Sequence, residues 1–272
     1  MHKVGFYYQI WFTNQRSIFE NLKQLRILYP EEKIYLVIAG LQSKNKDLYL
    51  ESFLNKLIHH FNISAINFLF ADEIRSMPTL FHRFQDMGIN IRDGFNEFNN
   101  IWIQKLVDTV DKDIDILVNC SDDWFVIRPF NIDLKKDISC RLEKWSDWME
   151  KDKILKYINK DFDKVPWMQH GHYFNYQKFL KNYTEDNINL INNAITVTYP
   201  EDLPIFLDYF HALWNMVVFN TFEHSPHIVE DKEDPFERSK HNPVETFHGY
   251  IKYRFLNHSQ EMLNLGFKVY NE

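Results

Sequence analysis

Glycine is scarce, with 7 residues in a chain of 272. No G-x-G-x-x-G stretch and no Walker-type lysine loop occurs. That removes the two commonest glycine-dependent phosphate cradles, the dinucleotide turn and the P-loop. Cysteine is scarcer still, Cys120 and Cys140 alone. Neither their number nor their spacing suits a zinc site or a disulfide framework, so a reducing, cytoplasmic compartment is expected. Basic clusters are missing. The longest is Lys135-Lys136, and the formal net charge is -7, so no nucleic-acid partner is expected. No run of 18 apolar residues exists, so no membrane span is expected. The nearest candidate, Ile205 to Phe219, is interrupted by Asp208, His211 and Asn215. Its Phe206, Phe210, Leu213, Trp214 and Val217 follow helical spacing instead. The N-terminus enters a strand-like run without a signal-peptide pattern.

Hydrophobic residues at 45% and charged residues at 25% are ordinary for a globular chain, while aromatics are high at 17%. One domain over 1–272 is expected, with a nucleotide-binding half (1–130) and an acceptor-side half (131–272). Continuous apolar runs at Val4–Ile10, Lys33–Ala39, Ile66–Phe70 and Ile114–Cys120 predict buried strands. Between them, Ile18, Leu22, Leu25 and Leu28 form one helical face, opened by a Ser17-to-Glu20 capping box and stopped at Tyr29-Pro30. Leu50, Leu54, Leu57, Ile58 and Phe61 mark a second helix, and Phe98, Trp102, Leu106 and Val110 a third. Strands alternating with helices predict an α/β fold around a mostly parallel sheet. The second half is less periodic. It predicts helices over Leu142–Ile158 and Val244–Leu265, and strands at Ile195–Tyr199 and Phe267–Tyr270.

The most informative stretch is ILVNC followed by Ser121-Asp122-Asp123-Trp124. It places two carboxylates where a buried strand ends, the position at which open α/β sheets bind ligands. Adjacent acids repel unless a cation or proton intervenes. A hard divalent metal held by one or two carboxylates and by substrate phosphates fits; the alternative is a solvated turn that holds two aspartates.

In its order of elements the chain resembles the GT-A class of nucleotide-sugar glycosyltransferases. The passage VGFYYQIWFTNQR leads into a helix ending LRILYPEEKIYLV, a later strand ends at Asp72, and a helix with Trp102 and Lys105 leads to ILVNCSDDW. The last looks like the family's Asp-x-Asp motif, with serine at its first position. GHYFNYQKF and LGFKVY resemble the acceptor-side and closing parts. The resemblance implies a GT-A-like, Rossmann-type central sheet flanked by helices, with a less regular acceptor-side part. It implies transfer of a sugar from a nucleotide-diphosphate donor to a glycan or other hydroxyl acceptor. Mn²⁺ or Mg²⁺ would be held by Asp123 and Asp122, with His248 in FHG as a third ligand or a structural histidine.

Tyr8, Gln9 and Trp11 end the first strand, where a base could stack; for Trp11 core packing is the alternative. Asp72 suits either a base or ribose contact or a helix N-cap. Arg92 and Lys105 either reach phosphate or sit on a solvated face. For the base that activates the acceptor, Glu245 is preferred over Asp231, Glu230 and Asp202. It would open the last helix one turn before His248, although an acid there also suits the helix dipole. Inversion at the anomeric carbon is the linked expectation. Two rivals are a transferase-like module that binds nucleotide or glycan without turnover, and a metal-dependent phosphohydrolase. The latter usually carries an acid on the first strand, which this chain lacks.

Overall fold

A computed structural model of the chain describes residues 2–73, 91–122, 124–126, 129–130, 132, 137, 141–144, 152, 164–167, 172–198, 244–246 and 261–270. The four strands expected in the first half form. Strands β1 (Val4–Trp11), β2 (Lys33–Ala39), β3 (Ala65–Leu69) and β4 (Ile116–Ser121) run parallel. Strand β8 (His172–Asn175) is antiparallel to β4, giving the order β3-β2-β1-β4-β8. Helix α1 (Gln15–Leu28) joins β1 to β2. A turn at Ser43–Asn45, α2 (Lys46–Tyr49), a π-helical turn (Leu50–Leu54) and α3 (Asn55–Phe61) lead towards β3, and α4 (Ile91–Thr109) leads towards β4.

Side-chain alternation divides the sheet. Phe6, Tyr8, Ile10, Ile34, Leu36, Ile38, Ile116, Val118 and Cys120 share one buried face with Ile18, Leu22 and Leu25 of α1. Each aliphatic side chain so buried contributes about 1.5–3 kcal/mol. The same core takes in Met262, Phe267 and Tyr270 from the far end of the chain. The Phe267 ring meets Phe19 at 5.1 Å and Phe53 at 5.9 Å, and the Tyr270 ring lies 5.5 Å from Tyr49. Phe267–Tyr270, expected as a strand, is irregular. The Gln15 side chain supplies a strand-like pairing instead, donating to Tyr270 O and accepting from Tyr270 N, both at 2.8 Å.

Several expectations need correction. Helix α1 begins two residues before the expected capping box, with Asn14 at its N-cap, and the Ser17 hydroxyl donates to Asn14 O at 3.0 Å. The Ile195–Tyr199 strand is not formed: Ile195 to Thr198 end helix α6 (Glu185–Thr198), whose first turn carries Glu185 and Asp186. That helix-dipole pairing at its start and its packing on α4 outweigh the β-branched composition of its end. Helix α5 (Tyr176–Asn182) precedes it, capped by the Asn175 side chain, which accepts from Lys178 N at 2.9 Å. Leu142 lies in β6 (Arg141–Lys144), antiparallel to β7 (Lys164–Trp167), rather than in a helix. Val244–Thr246 is β9, antiparallel to β5 (Trp124–Val126), rather than the start of the last helix. Residues 261–264 do form a helical turn. The expected helix over 206–217 lies outside the described residues. Among the described residues no helix is long and apolar enough to cross a membrane.

Near this closure Glu20 is buried on α1, close to the Lys23–Glu261 ion pair. Its carboxyl is pushed up from 4.5 to about 7, first by burial, with Lys23 opposing and Glu261 adding. The folded state therefore keeps a proton that the unfolded chain releases. Stability at this group is fully present below the unfolded value and is lost as pH climbs through the folded one. Glu20→Gln keeps the shape and removes the titration. Its melting temperature relative to wild type should rise by several degrees between pH 5 and pH 8. A difference constant across that range would show that Glu20 does not titrate there.

Candidate functional site

The strand order reverses between β1 and β4, and the crevice beyond their carboxyl ends is where open α/β sheets bind ligands. Gln9 of β1 is in register with Ser121 of β4, and Trp11 with Ala39 of β2. The loops beyond these strands are laced together by their backbones. Phe12 N donates to Ala39 O, Gly40 N to Leu69 O, and Ala71 N to Leu41 O, at 3.0, 3.0 and 2.9 Å. Such a rim is preorganised, since its backbone groups are already satisfied.

Asp122 sits in the turn after β4 and is buried. Its Oδ2 accepts from the Trp11 N–H and from Asn14 Nδ2, each at 2.9 Å. Its backbone carbonyl accepts from Asn21 Nδ2 of α1 at 3.0 Å. Burial, reinforced by the Asp122 charge, pushes the Tyr49 hydroxyl far above its usual value. The carboxylate therefore ties the β1–α1 corner to the end of β4. Asn14 and Asn21 were not anticipated from the sequence. The one available signal was Asn14 itself, a residue type favoured before a helix, but its side chain crosses to Asp122 and makes no cap bond.

Tyr8 is fully buried in the core beside the Cys120 thiol, so its ring does not face the crevice. Gln9 and Trp11 are partly exposed there. The Trp11 ring covers Gly40, whose φ is +88°; a Cβ at Gly40 would lie 2.2 Å from Trp11 Cζ2. Asp72 follows β3 and is exposed. It accepts from Ser43 N at 2.7 Å and from the Ser43 hydroxyl, and these bonds hold its carboxyl below the ordinary range. It thus caps the Ser43–Asn45 turn and bridges the loops after β2 and β3.

Arg92 and Lys105 lie 13 residues apart on α4, about 20 Å along a helix. The C-terminal end of α4 lies beside the start of the sheet, where Asp111 pairs with Lys33 and accepts from Tyr35 Oη at 3.2 Å. Arg92 is therefore at the crevice end, whereas Lys105 is one turn from the opposite end and is not brought to the crevice. Glu245 stands opposite Phe125 in the β5–β9 ladder, two positions beyond Asp123 in the chain. The expected helical spacing between Glu245 and His248 does not hold at Glu245, which is in a strand. Asp123 and His248 lie outside the described residues, as do Asp202, Glu230 and Asp231. Among the described residues no group of three or more metal-ligating side chains occurs. The carboxylate and imidazole that the sequence offers at Asp123 and His248 are donor types that Mn²⁺ or Mg²⁺ accepts.

No family model matches the sequence, and no curated protein is significantly similar to it. Solved structures do match. The galactosyltransferase LgtC with donor and acceptor sugar analogs aligns over 98% of this chain and 97% of its own, at 11% identity and TM-score 0.49. An active-site mutant of LgtC aligns over 94% and 95%, at 12% identity and TM-score 0.50. The bifunctional glycosyltransferase WbbM aligns over 91% of this chain and 46% of its own, at 11% identity and TM-score 0.50. At these identities the likeness is one of fold alone; the two matches at TM-score 0.50 carry it, and the fold is that of the GT-A glycosyltransferases.

Proposed function

We propose that the protein transfers a sugar from a nucleotide-diphosphate donor to a hydroxyl acceptor, with Mn²⁺ or Mg²⁺ on the diphosphate. The observation that carries this reading is the acid-bearing turn after β4, at the point where the order of the parallel sheet reverses. Asp123 is the carboxylate ligand in this reading and His248 the second protein ligand. A cation held by these residues would supply charge neutralisation for the departing nucleotide. In this reading Gln9, Trp11 and Asp72 contact base and ribose, and Arg92 contacts phosphate. The compartment is cytoplasmic in the same reading.

The β5–β9 ladder supports Glu245 as the acceptor-side base, because it returns that segment to the metal motif. The acceptor hydroxyl attacks the anomeric carbon and gives its proton to Glu245. The bond to the diphosphate oxygen breaks with its electron pair, and configuration inverts.

A panel of nucleotide sugars, with and without Mn²⁺, tests the function by thermal stabilisation and turnover. A donor at 100-fold over its dissociation constant should add about 2.7 kcal/mol. Sugar release should fall roughly 100-fold or more in Glu245→Gln, with stabilisation by the donor retained. Stabilisation without turnover for any donor would favour a binding module; a Glu245→Gln variant within a few-fold of wild type would remove Glu245 as the base.

A further inference from the structure

We propose that Asp122 is a positioning residue: its carboxylate fixes the 11–14 loop at the switch point between β1 and β4, and metal ligation falls to Asp123. The clamp itself stands on geometry; what the loop is positioned for rests on the sugar-transfer reading.

Adjacent acids at a strand end look equivalent in sequence, and the structure gives Asp122 a separate task. Its side chain is only 7% exposed. Two hydrogen bonds from the β1–α1 corner fall on one oxygen, Oδ2, from the Trp11 N–H and from Asn14 Nδ2. Asn21 Nδ2 holds the backbone carbonyl of the same residue. Three donors within residues 11–21 thus converge on one turn about a hundred residues later. A buried carboxylate oxygen that accepts two N–H bonds has its lone pairs directed at those donors, and bonds to an ionised acceptor are the stronger kind. Binding a cation through that oxygen would compete with both. Releasing them would break the Trp11 N–H bond to Asp122 and free the loop that carries Trp11 over Gly40.

Strand alternation points the same way. Cys120 faces the α1 side of the sheet, and Asp122, two residues on, meets residues of that same corner. Asn14 reinforces the assignment, because an N-cap residue that leaves its own helix uncapped gives up a local bond.

The chemistry supplies a test. An amide oxygen in the Oδ2 position accepts both N–H bonds, so Asp122→Asn keeps the clamp and removes the charge a metal would use. Asp122→Ala removes both. Amide hydrogen exchange of the 11–14 segment, in ligand-free protein, reads the clamp. It should quicken roughly tenfold or more in Asp122→Ala, and stay within about threefold of wild type in Asp122→Asn. Asn14→Ala, which leaves Asp122 in place, should give an intermediate acceleration and serves if the alanine variant at Asp122 fails to fold.

Titration with a nucleoside diphosphate and Mn²⁺ reads the division of labour. Affinity lost in Asp122→Ala should be largely restored in Asp122→Asn, whereas Asp123→Asn should lose roughly 100-fold. Unchanged exchange in Asp122→Ala and Asn14→Ala would overturn the clamp. Loss of Mn²⁺-dependent binding in Asp122→Asn equal to that in Asp123→Asn, with exchange still protected, would make Asp122 a ligand. If wild type binds no nucleoside diphosphate with Mn²⁺, the sugar-transfer reading fails, while the exchange data still decide the clamp.

Discussion

Asp123→Ala should reduce metal-dependent transfer at least about 1,000-fold, close to 4 kcal/mol of transition-state stabilisation. Its melting temperature should stay within a few degrees of wild type. The reason for so large an effect is that a diphosphate leaving group needs a cation at the moment the bond breaks, and few protein ligands hold that cation. The reason for so small an effect on folding is that Asp122, which this variant keeps, anchors the turn to the β1–α1 corner through Trp11, Asn14 and Asn21. Turnover with Mn²⁺, measured beside a thermal melt, checks both halves. Full activity in this variant, or activity of wild type undiminished by excess chelator, would refute the metal reading.

Gly40→Ala should cost about 3 kcal/mol, a large share of the stability of an ordinary domain. Two independent penalties add. At φ +88° an L side chain is strained by about 1–2 kcal/mol. The new Cβ would also lie 2.2 to 2.7 Å from three atoms of the Trp11 ring, so the indole must leave its place. Urea unfolding measures the first consequence and tryptophan fluorescence the second. Trp11→Ala in the same chain should recover the steric part and leave the backbone part. A Gly40→Ala protein as stable as wild type, with unchanged emission, would show that the loop rearranges freely. Because Trp11 borders the crevice, the variant should also weaken donor binding.

The parallel half of the fold was legible because its strands are buried on both faces. Lys33–Ala39 runs as uninterrupted apolar residues from Ile34, and the observed strand has the expected bounds. The second half misled where local preference and tertiary context disagree. Ile195-Thr196-Val197-Thr198 has strand composition, yet it ends a helix whose packing was not visible locally. Val244–Thr246 is too short to show a period, and its partner, Trp124–Val126, lies about 120 residues away. The site divides in the same manner. That two acids stand at a strand end could be read directly. That Asp122 turns to Trp11 and Asn14 could not, because those partners are 111 and 108 residues distant in the chain. Tyr8 and Gln9 show how little separates the two outcomes: neighbours on one strand, they fall on opposite faces, and only Gln9 remains at the crevice.

The embrace of Tyr270 by Gln15, across 255 residues, bears on how the molecule is made. During synthesis the first four strands and α1 leave the ribosome long before Met262, Phe267 and Tyr270 exist. Until then Phe19 and Phe53 lack Phe267, and Tyr49 lacks Tyr270, among their aromatic neighbours. The nascent first half thus exposes apolar surface that Met262, Phe267 and Tyr270 later cover, the kind of surface that makes incompletely folded chains prone to aggregate. Residues 262–270 act as the latch over that surface.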